Sequence, residues 1–381
     1  MSGDRRGRRL SDRQRIAWLR LIRTDNVGPA TFRDLINRFG SAETAIEMLP
    51  ELSISGGASR LPRIPAVSEA EAELERAAAC GARIVAIGEA DYPDMLWRMD
   101  NPPPVLAIKG DANVFALTPV AIVGARNASL AGIRMARQLA ADLGREGCAV
   151  VSGLARGIDT GAHEGALATG TVAVFAGGLD RPFPPENVAL ADEIAARGGA
   201  LVSEMPMGWE PRARDFPRRN RIIAGLSVGL VVVEAAQRSG SLISARLAGE
   251  LGRLVFAVPG SPLDPRAAGT NDLLKQGATL VTEARDVLEQ IAPMDGKDRG
   301  QAPRPFVQAE EPPDFGATPP PGEDDRSRVI EALGPTPTGI DEIIRHTRLH
   351  PAQVFMILLE LDLAGRLERH AGGNVSLVFA T

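Results

Sequence analysis

The strongest constraint on the fold of this chain is a series of short apolar runs between residues 83 and 284. Alanine-rich stretches of helix length separate most of these runs. Strands that read as continuous apolar runs are typical of parallel sheets covered on both faces. The sequence therefore predicts an α/β domain with a doubly wound, mostly parallel sheet. The runs are RIVAIG, VLAIKG, PVAIVG, CAVVSG, TVAVFAGG, ALVSEM, VGLVVVEAA, RLVFAVPG and ATLVTEA.

The segments before and after these runs predict two smaller domains. Residues 1–80 carry apolar residues at helical spacing after a basic tail and predict a small all-α domain. Residues 81–291 form the sheet domain, and residues 292–325 are rich in proline and charge, which predicts a linker. Residues 326–381 show three helical patterns followed by two strand-like pieces, the outline of a winged helix.

Net charge, cysteine content and hydropathy limit the binding mode and the cellular compartment that we expect for this chain. A net charge of -5 argues against binding nucleic acid over the whole surface. A local basic patch still acts within about 8 Å at physiological salt. The two cysteines, Cys80 and Cys148, form no CxxC motif, and no apolar run approaches the length that spans a bilayer. We therefore expect a reduced, cytoplasmic chain without membrane insertion.

Motifs of several enzyme classes are absent from the sequence. There is no GxxxxGK[ST], no GxGxxG and no GxSxG, and HTRLHP has the HxxxH spacing without the glutamate of a zinc site. Asp159 is interpreted as a helix cap or as the buried partner of a neighbouring arginine, and His163 as a helix residue. We expect no catalytic residue, no metal site and no cofactor.

Four glycine-containing loops follow strands of the predicted sheet: VGARNAS, SGLARGID, AGGLDRPFPPEN and AAQRSGSLIS. Ligands of open parallel sheets bind beyond the carboxyl ends of the strands. Backbone N–H groups at helix starts, together with guanidinium groups, form phosphate sites. The segment FPRRNR, residues 216–221, adds positive charge near the same edge. Each loop alone is explained by helix capping, whereas four loops together favour anion binding.

In combination these segments resemble the DprA/Smf family of DNA-processing proteins of natural transformation. The resemblance rests on VAIVGARNAS, VVSGLARGIDTGAHEGAL, TVAVFAGGLDRPFPPEN, LVSEMPMGWEPRARDFPRRNRIIAGLS, VVVEAAQRSGSLISARLA, LVFAVPGSP and GTNDLLKQGA. It implies a Rossmann-like sheet domain, a SAM-like N-terminal domain and a winged helix. It also implies a homodimer without enzymatic turnover that binds incoming single-stranded DNA and loads RecA recombinase onto it.

Carried over by position, the resemblance places phosphate-binding arginines at Arg126 and Arg238, and the FPxRNR motif at residues 216–221. The DNA- or phosphate-binding residues predicted in this way, together with their loop neighbours, are Gly124, Arg126, Ser129, Ser152, Gly153, Arg156, Arg219, Asn220, Arg221, Arg238, Ser239, Gly240 and Ser241. Aromatic residues make up 4% of the chain, so we expect phosphate contacts to contribute more than base stacking. An alternative for the FPRRNR arginines is pairing with Glu204 or Glu234 to hold the fold.

Three questions stay open at this point. The third helix of the winged helix, PAQVFMILLELDLAG, carries no Lys or Arg, which favours a packed core or a protein contact over reading of duplex DNA. DNVGPAT resembles the phosphate-gripping turn of helix-hairpin-helix units, but an ordinary turn explains it equally well. The alternative function is nucleotide binding or a nucleoside monophosphate phosphoribohydrolase activity. Those enzymes carry a motif like PGGxGTxxE after the corresponding strand. The segment RSGSLISAR stands there in this chain and lacks the catalytic glutamate.

Overall fold

The computed structural model describes residues 9–292 and 319–378. The chain divides into two compact units. The first, which we call the sheet unit, begins at Ala72. The second, which we call the end unit, joins Leu10–Glu71 with the described residues from position 319 onward. Both cysteines are free thiols, and no helix in the described ranges is long and apolar enough to cross a membrane.

The sheet unit alternates strands and helices along the chain. After α4 (Val67–Ala79), which spans the boundary between the units, its elements are β1 (Ala82–Ala86), α5 (Asp94–Trp97), β2 (Val105–Gly110), β3 (Thr118–Val123), α6 (Leu130–Arg145), β4 (Cys148–Ser152), α7 (Ile158–Ala166), β5 (Thr171–Val174), α8 (Val188–Ala196), β6 (Ala200–Ser203), α9 (Asp215–Leu226), β7 (Gly229–Val232), α10 (Gly240–Glu250), β8 (Leu254–Ala257), α11 (Ala268–Lys275), β9 (Thr279–Leu280) and α12 (Ala284–Ile291).

The nine strands form one sheet in the order β1-β2-β6-β5-β4-β3-β7-β8-β9. The seven strands from β3 to β9 are parallel to one another, whereas β2 pairs antiparallel with both β1 and β6. Each apolar run of the sequence becomes one strand, which confirms the mostly parallel sheet. Strand order reverses at β3, which pairs with β4 on one side and with β7 on the other. Such a switch point opens a crevice beyond the carboxyl ends of the strands.

The core explains why these runs become central strands. Every residue of β4 is buried, and Val120 and Ile122 of β3 pack with Leu139 and Leu143 of α6 in one apolar cluster. Burying side chains of this size contributes about 1.5–3 kcal/mol each relative to exposure. The packed sheet therefore supplies a rigid support for the loops at its carboxyl edge.

The end unit contains the first helices and the last elements of the chain. These are α1 (Asp12–Ile22), α2 (Pro29–Phe39), α3 (Ala42–Ser55), α13 (Glu323–Ala332), β10 (Thr338–Gly339), α14 (Ile340–Thr347), α15 (Pro351–Leu363), β11 (Leu367–His370) and β12 (Asn374–Leu377). The last three strands form a small antiparallel sheet in the order β10-β12-β11. The winged helix predicted from the sequence is confirmed, and β10 is a strand that the sequence pattern did not reveal.

Local sequence explains the ends of the first helices. Ser11 caps α1 in a reciprocal pair with Gln14. Pro29 opens α2 at a position where its missing N–H costs nothing, and Gly40 ends that helix with a φ of 74°. The segment DNVGPAT, residues 25–31, therefore leads from α1 into the first turn of α2, which begins at Pro29.

Candidate nucleic-acid interface

Glu234 joins the loops on the two sides of the switch point. Its side chain follows β7 and accepts a hydrogen bond from the backbone N–H of Ser129, at 2.9 Å, and another from the Ser129 hydroxyl. The same hydroxyl accepts the N–H of Gly132, at 2.9 Å, and so caps α6. Glu234 is thus engaged by Ser129 and pairs with none of the FPRRNR arginines. Ser129, a predicted phosphate-binding residue, has a capping role in this structure.

Two glycines allow the loops after β3 and β4 to touch. A Cβ on Gly124 would lie 2.6 Å from the Ile158 side chain and 2.9 Å from the carbonyl oxygen of Glu234. Gly157 has a φ of 79°, and its Cβ would lie 2.4 Å from the carbonyl oxygen of Ala125. Side chains at either position would force the loops apart, so glycine is required by packing.

An open cleft of about 240 Å³ lies over these loops. One ordered water occupies about 30 Å³, so the cleft admits an organic group. The loops after β3, β4 and β5 and the first turn of α9 contribute its walls. Its lining residues are Arg126, Gly153, Ala155, Arg156, Phe183, Pro184, Pro185, Glu186 and Phe216.

The cleft presents an aromatic wall formed by Phe183 and Phe216. The two ring centroids are 5.9 Å apart, with the rings at 62° in an edge-to-face arrangement. The guanidinium carbon of Arg126 lies 4.9 Å from the centroid of the Phe216 ring. Half of Phe183 is exposed. A ligand in the cleft can therefore contact a planar aromatic ring and a guanidinium cation at the same time.

Hydrogen bonds of neighbouring side chains hold the two backbone segments that carry these rings. Asp215 is buried and accepts hydrogen bonds from the Trp209 indole, at 2.9 Å, and from the backbone N–H of Arg212, at 2.8 Å, which sets the start of α9 just before Phe216. In the loop that carries Phe183, the Asn187 amide donates to the carbonyl oxygen of Leu154 at 2.8 Å.

Phe183 is a candidate residue that the sequence analysis missed. It stands between two prolines in AGGLDRPFPPEN, and an aromatic residue on a loop at the carboxyl edge of the sheet was the available signal. The expectation of few stacking surfaces took only the overall aromatic content into account. The structure concentrates two of the rings at one point.

Arg219 lies inside the protein and not on the cleft surface. It is 6% exposed, and one of its terminal nitrogens donates to the carbonyl oxygens of Gly153 and, at 2.6 Å, of Val174. Its Nε donates to the Asn220 side chain at 3.2 Å. Burial lowers the pKa of Arg219 to about 10, so the group stays protonated at neutral pH. This differs from the prediction of a phosphate contact, because backbone carbonyls already occupy the guanidinium.

The carboxylate of Asp159 lies beneath the same loop. It accepts the backbone N–H of Gly153, at 3.1 Å, and that of Ala155, at 3.3 Å. Burial is the largest effect and raises the pKa of Asp159, while the positive charge of Arg219 acts in the opposite direction. Asp159 is thus a buried side chain that is held by backbone N–H groups and lies within the electrostatic influence of Arg219.

His163 is a buried neutral side chain of α7. Its Nε2 accepts the backbone N–H of Leu154 at 3.3 Å. Its Nδ1 lies 2.8 Å from the hydroxyl of Thr171, which itself donates to the carbonyl oxygen of Val150, so Nδ1–H is the donor. Burial and the charge of Arg219 lower the pKa of His163 to about 3. Its proton is therefore held by a structural hydrogen bond.

The other two arginines of FPRRNR share one carboxylate. The Nε of Arg218 lies 2.8 Å from one oxygen of Glu204, and Arg221 pairs with the other oxygen. Glu204 is buried, and the Arg218 side chain is 46% exposed against 20% for Arg221. Pairing with Glu204 was the alternative weighed from the sequence, and it is confirmed for these two residues. Arg221 therefore has an anchoring role that its assignment to DNA did not include.

Two further predicted residues are also engaged in the interior. Ser152 is fully buried and donates to the carbonyl oxygen of Ile122 at 2.7 Å. Asn220 is 9% exposed and donates to the carbonyl oxygen of Gly240 at 3.3 Å. Gly153 lines the cleft, and a Cβ there would lie 2.2 Å from the guanidinium of Arg219. Ser152 and Asn220 thus support the cleft from the protein interior, and Gly153 leaves room for the guanidinium of Arg219.

The loop after β7 presents Arg238 to solvent. Arg238 has a φ of 63°, a left-handed conformation that costs roughly 1–2 kcal/mol for a residue with a side chain. The Ser239 hydroxyl caps α10 through the N–H of Ser241, at 3.4 Å. In the described part of the chain, no carboxylate pairs with Arg238 or with Arg126.

More exposed arginines surround the cleft. Arg156 lies on its rim, 3.8 Å from Glu186, with both side chains 59% exposed. Arg181 lines a narrow pocket that shares Phe183 and Phe216 with the cleft. Arg212 lies with its guanidinium carbon 4.9 Å from the centroid of the Trp209 ring. Positive charge is thus available around the aromatic wall. Over the described ranges, no group of three or more His, Cys, Asp or Glu side chains could hold a metal ion.

Comparison with protein families gives three matches in chain order. Residues 83–292 match the model described as DNA recombination-mediator protein A. Residues 12–76 match a DprA-like N-terminal HHH domain, and residues 311–373 match a DprA winged helix domain.

Individual proteins and structures show the same similarity. Protein Smf of Escherichia coli strain K12 is 39% identical over 300 residues, which cover 75% of each chain. The X-ray structure of DNA processing protein A from Streptococcus pneumoniae matches with a TM-score of 0.55 and 38% identity, covering 59% of this chain and 78% of that one. A structure from Helicobacter pylori, described as showing the single-stranded DNA binding mode of DNA processing protein A, matches with a TM-score of 0.51 and 27% identity. It covers 56% of this chain and 96% of that one.

Proposed function

Because this chain belongs to the DprA/Smf family of DNA recombination-mediator proteins, we propose that it binds single-stranded DNA in the cleft at the carboxyl edge of its sheet. The observation that carries the proposal is the Phe183–Phe216 wall with Arg126 beside it. The description of the Helicobacter pylori relative supports the same ligand class.

Base stacking gives the cleft a preference for single strands. Every base has a planar face, and stacking on an aromatic side chain is worth about 1–3 kcal/mol per base. In a duplex these faces are already stacked on neighbouring pairs. A half-exposed ring such as Phe183 is therefore accessible to an unpaired base and not to a base pair.

The exposed arginines supply the phosphate contacts in this proposal. Arg126, Arg156 and Arg238 keep this role, since their side chains are exposed at the carboxyl edge. Arg219 and Arg221 act as positioning residues, because buried hydrogen bonds or ion pairs hold them. Guanidinium groups bind phosphate oxygens in a fork geometry, which suits a ligand held by its backbone.

The wider role follows the family. We propose that the chain delivers bound DNA to RecA recombinase during natural transformation, as a homodimer in the cytoplasm. We also propose a binding protein and not an enzyme. Asp159 and His163, two acid–base side chains of α7, are buried and accept backbone N–H groups of the loop after β4.

The experiment is a fluorescence anisotropy titration with a single-stranded and a duplex oligonucleotide. We expect Phe183→Leu to weaken single-strand binding about 5- to 100-fold, because bulk is kept while the stacking face is lost. Arg126→Ala should also weaken binding and reduce the slope of log affinity against log salt by about 0.7, the value for one phosphate of a single strand.

Arg246→Ala is the matched control, since that side chain is 70% exposed and forms an ion pair with Glu250 on the same helix α10. It should bind like the unmodified protein. Equal affinity for both oligonucleotides, or unchanged binding by both cleft variants, would refute the proposal. Release of free base from a nucleoside monophosphate would favour the phosphoribohydrolase alternative instead.

A further inference from the structure

Helix α15 of the winged helix has two buried faces. One face belongs to the core of the winged helix and consists of Val354, Ile357, Leu358 and Leu361. The other face is buried outside that core and consists of Met356, Leu359 and Leu363. Both sets recur at three- and four-residue spacing, so each forms a separate stripe along the helix. The second stripe requires a partner other than the winged helix itself.

That partner is the N-terminal helical domain of the same end unit. Helix α15 packs against α3 and α2. At the closest point, a Cβ on Gly56 would lie 2.0 Å from the carbonyl oxygen of Glu360. The two backbones therefore meet directly, and the contact depends on the absence of a side chain at residue 56.

Polar contacts complete this interface. The Thr31 hydroxyl donates to the carboxylate of Asp362 at 2.7 Å. Arg369 bridges Asp362, at 2.8 Å, and Asp34, at 3.0 Å. The polar groups of the N-terminal domain thus meet complementary groups of the winged helix.

The turn between α1 and α2 takes part in the same contact, although Asp25 and Asn26 stay exposed at its tip. The Asn26 side chain donates to the carbonyl oxygen of Leu363, at 3.0 Å, at the end of α15. Together with Thr31, this residue belongs to DNVGPAT, the segment considered as a phosphate-gripping turn. Its side-chain donors are therefore already engaged by protein acceptors.

The charge of α15 argues against DNA as an alternative ligand. The helix contains no Lys or Arg and carries Glu360 and Asp362. Glu360 is buried and held by Arg326 through two hydrogen bonds of 2.7 and 2.8 Å. A recognition helix reads the major groove with exposed polar and basic side chains, whereas both carboxylates of α15 are engaged in ion pairs within the end unit.

We propose that the winged helix is a protein-docking domain whose partner is the N-terminal helical domain of the same chain, and that this docking makes α15 and the side-chain donors of the α1–α2 turn unavailable to duplex DNA. The inference is independent of the cleft in the sheet unit. It assigns the end unit to intramolecular contact and leaves DNA binding to the sheet unit.

The test is hydrogen–deuterium exchange on the full-length chain, with and without a duplex oligonucleotide. In Gly56→Ala we expect exchange in α2, α3 and α15 to rise together by at least about tenfold, because all three lose one interface. Gly334→Ala is the matched control, since a Cβ there meets nothing closer than 4.0 Å. Single-strand affinity should be unchanged in both variants, which separates this proposal from the proposed function.

The unmodified chain provides the second arm, which does not depend on the folding of any variant. Saturating duplex should leave exchange in α15 and in the α1–α2 turn unchanged. Slower exchange in either segment on addition of duplex would overturn the proposal. Unchanged exchange of α2 and α3 in Gly56→Ala would overturn it as well.

Discussion

Arg219 connects three parts of the site by one guanidinium group. It donates to the carbonyl oxygens of Gly153, just after β4, and of Val174, at the end of β5. Its charge acts on the buried Asp159 side chain. Its guanidinium carbon lies 5.9 Å from the centroid of the Phe216 ring. Arg126 approaches the same ring at 4.9 Å from the open cleft. The two arginines thus differ in burial and therefore in role, although both are identical in charge.

Removing Arg219 should destabilise the sheet unit. Arg219→Ala removes the donor of the Gly153 and Val174 carbonyl oxygens and the positive charge that acts on buried Asp159, and removing a partner of a buried charge costs about 3–5 kcal/mol. Arg218→Ala, which removes a half-exposed partner of Glu204, should cost about 1 kcal/mol or less. Urea unfolding measures both. Equal stability of the two variants would contradict the structural role of Arg219.

His163 gives the stability of the sheet unit a pH dependence. Its pKa is about 3 in the folded state, against about 6.5 for an unperturbed histidine, so the unfolded state binds more protons between these values. Stability from this residue is therefore complete above pH 6.5 and falls as pH decreases. Between pH 6.5 and 5.0 the loss should be about 1.5 kcal/mol.

The measurement compares urea unfolding of the unmodified chain and of His163→Gln at these two pH values. Glutamine cannot take up a proton, so its free energy of unfolding should lack this decrease, whatever its absolute stability. A decrease of the same size in both proteins would show that other groups cause it.

Among the helices, α15 is constrained in sequence on two faces, because one face packs in the winged helix and the other against the N-terminal helices. Leu359→Ala should destabilise the end unit by about 2–5 kcal/mol, since a side chain that is 2% exposed leaves a cavity at the interface. Phe355→Ala on the same helix should change stability by about 0.5 kcal/mol or less, because Phe355 is 52% exposed. Thermal unfolding distinguishes them, and a larger effect of Phe355→Ala would contradict the assignment of the faces.

Elements of regular structure were predictable where the local pattern is strong. The nine apolar runs became nine strands because buried parallel strands need apolar residues on both faces. The apolar circumference of α15 likewise indicated burial on more than one side. Its partner was not predictable, since Thr31 and Asp362 are 331 positions apart and no local pattern links them.

The candidate site was predictable in location but not in the role of each residue. Motifs placed the glycine-rich loops at the carboxyl edge of the sheet. The sequence does not reveal how deep a charged side chain lies, so Arg219 and Arg126 looked alike. Burial of Arg219 arises from the backbone carbonyls of Gly153 and Val174, which only the folded sheet brings together. Phe183 was missed because its importance depends on contact with Phe216.

Over the whole molecule, negative net charge and DNA binding are compatible. The net charge of -5 limits non-specific attraction to nucleic acid, while exposed arginines surround the cleft. In the proposed function, this charge distribution directs a single strand to one edge of the sheet unit. In this account the end unit contributes protein contacts and not DNA contacts.

Photo-cross-linking of the full-length chain to a single-stranded oligonucleotide containing 5-iodouracil tests the central claim most directly. A base stacked on the aromatic wall should cross-link to peptides that contain Phe183 or Phe216, and Phe183→Leu should lower the yield. Cross-links confined to Leu10–Glu71 or to residues 319–378 would contradict the account.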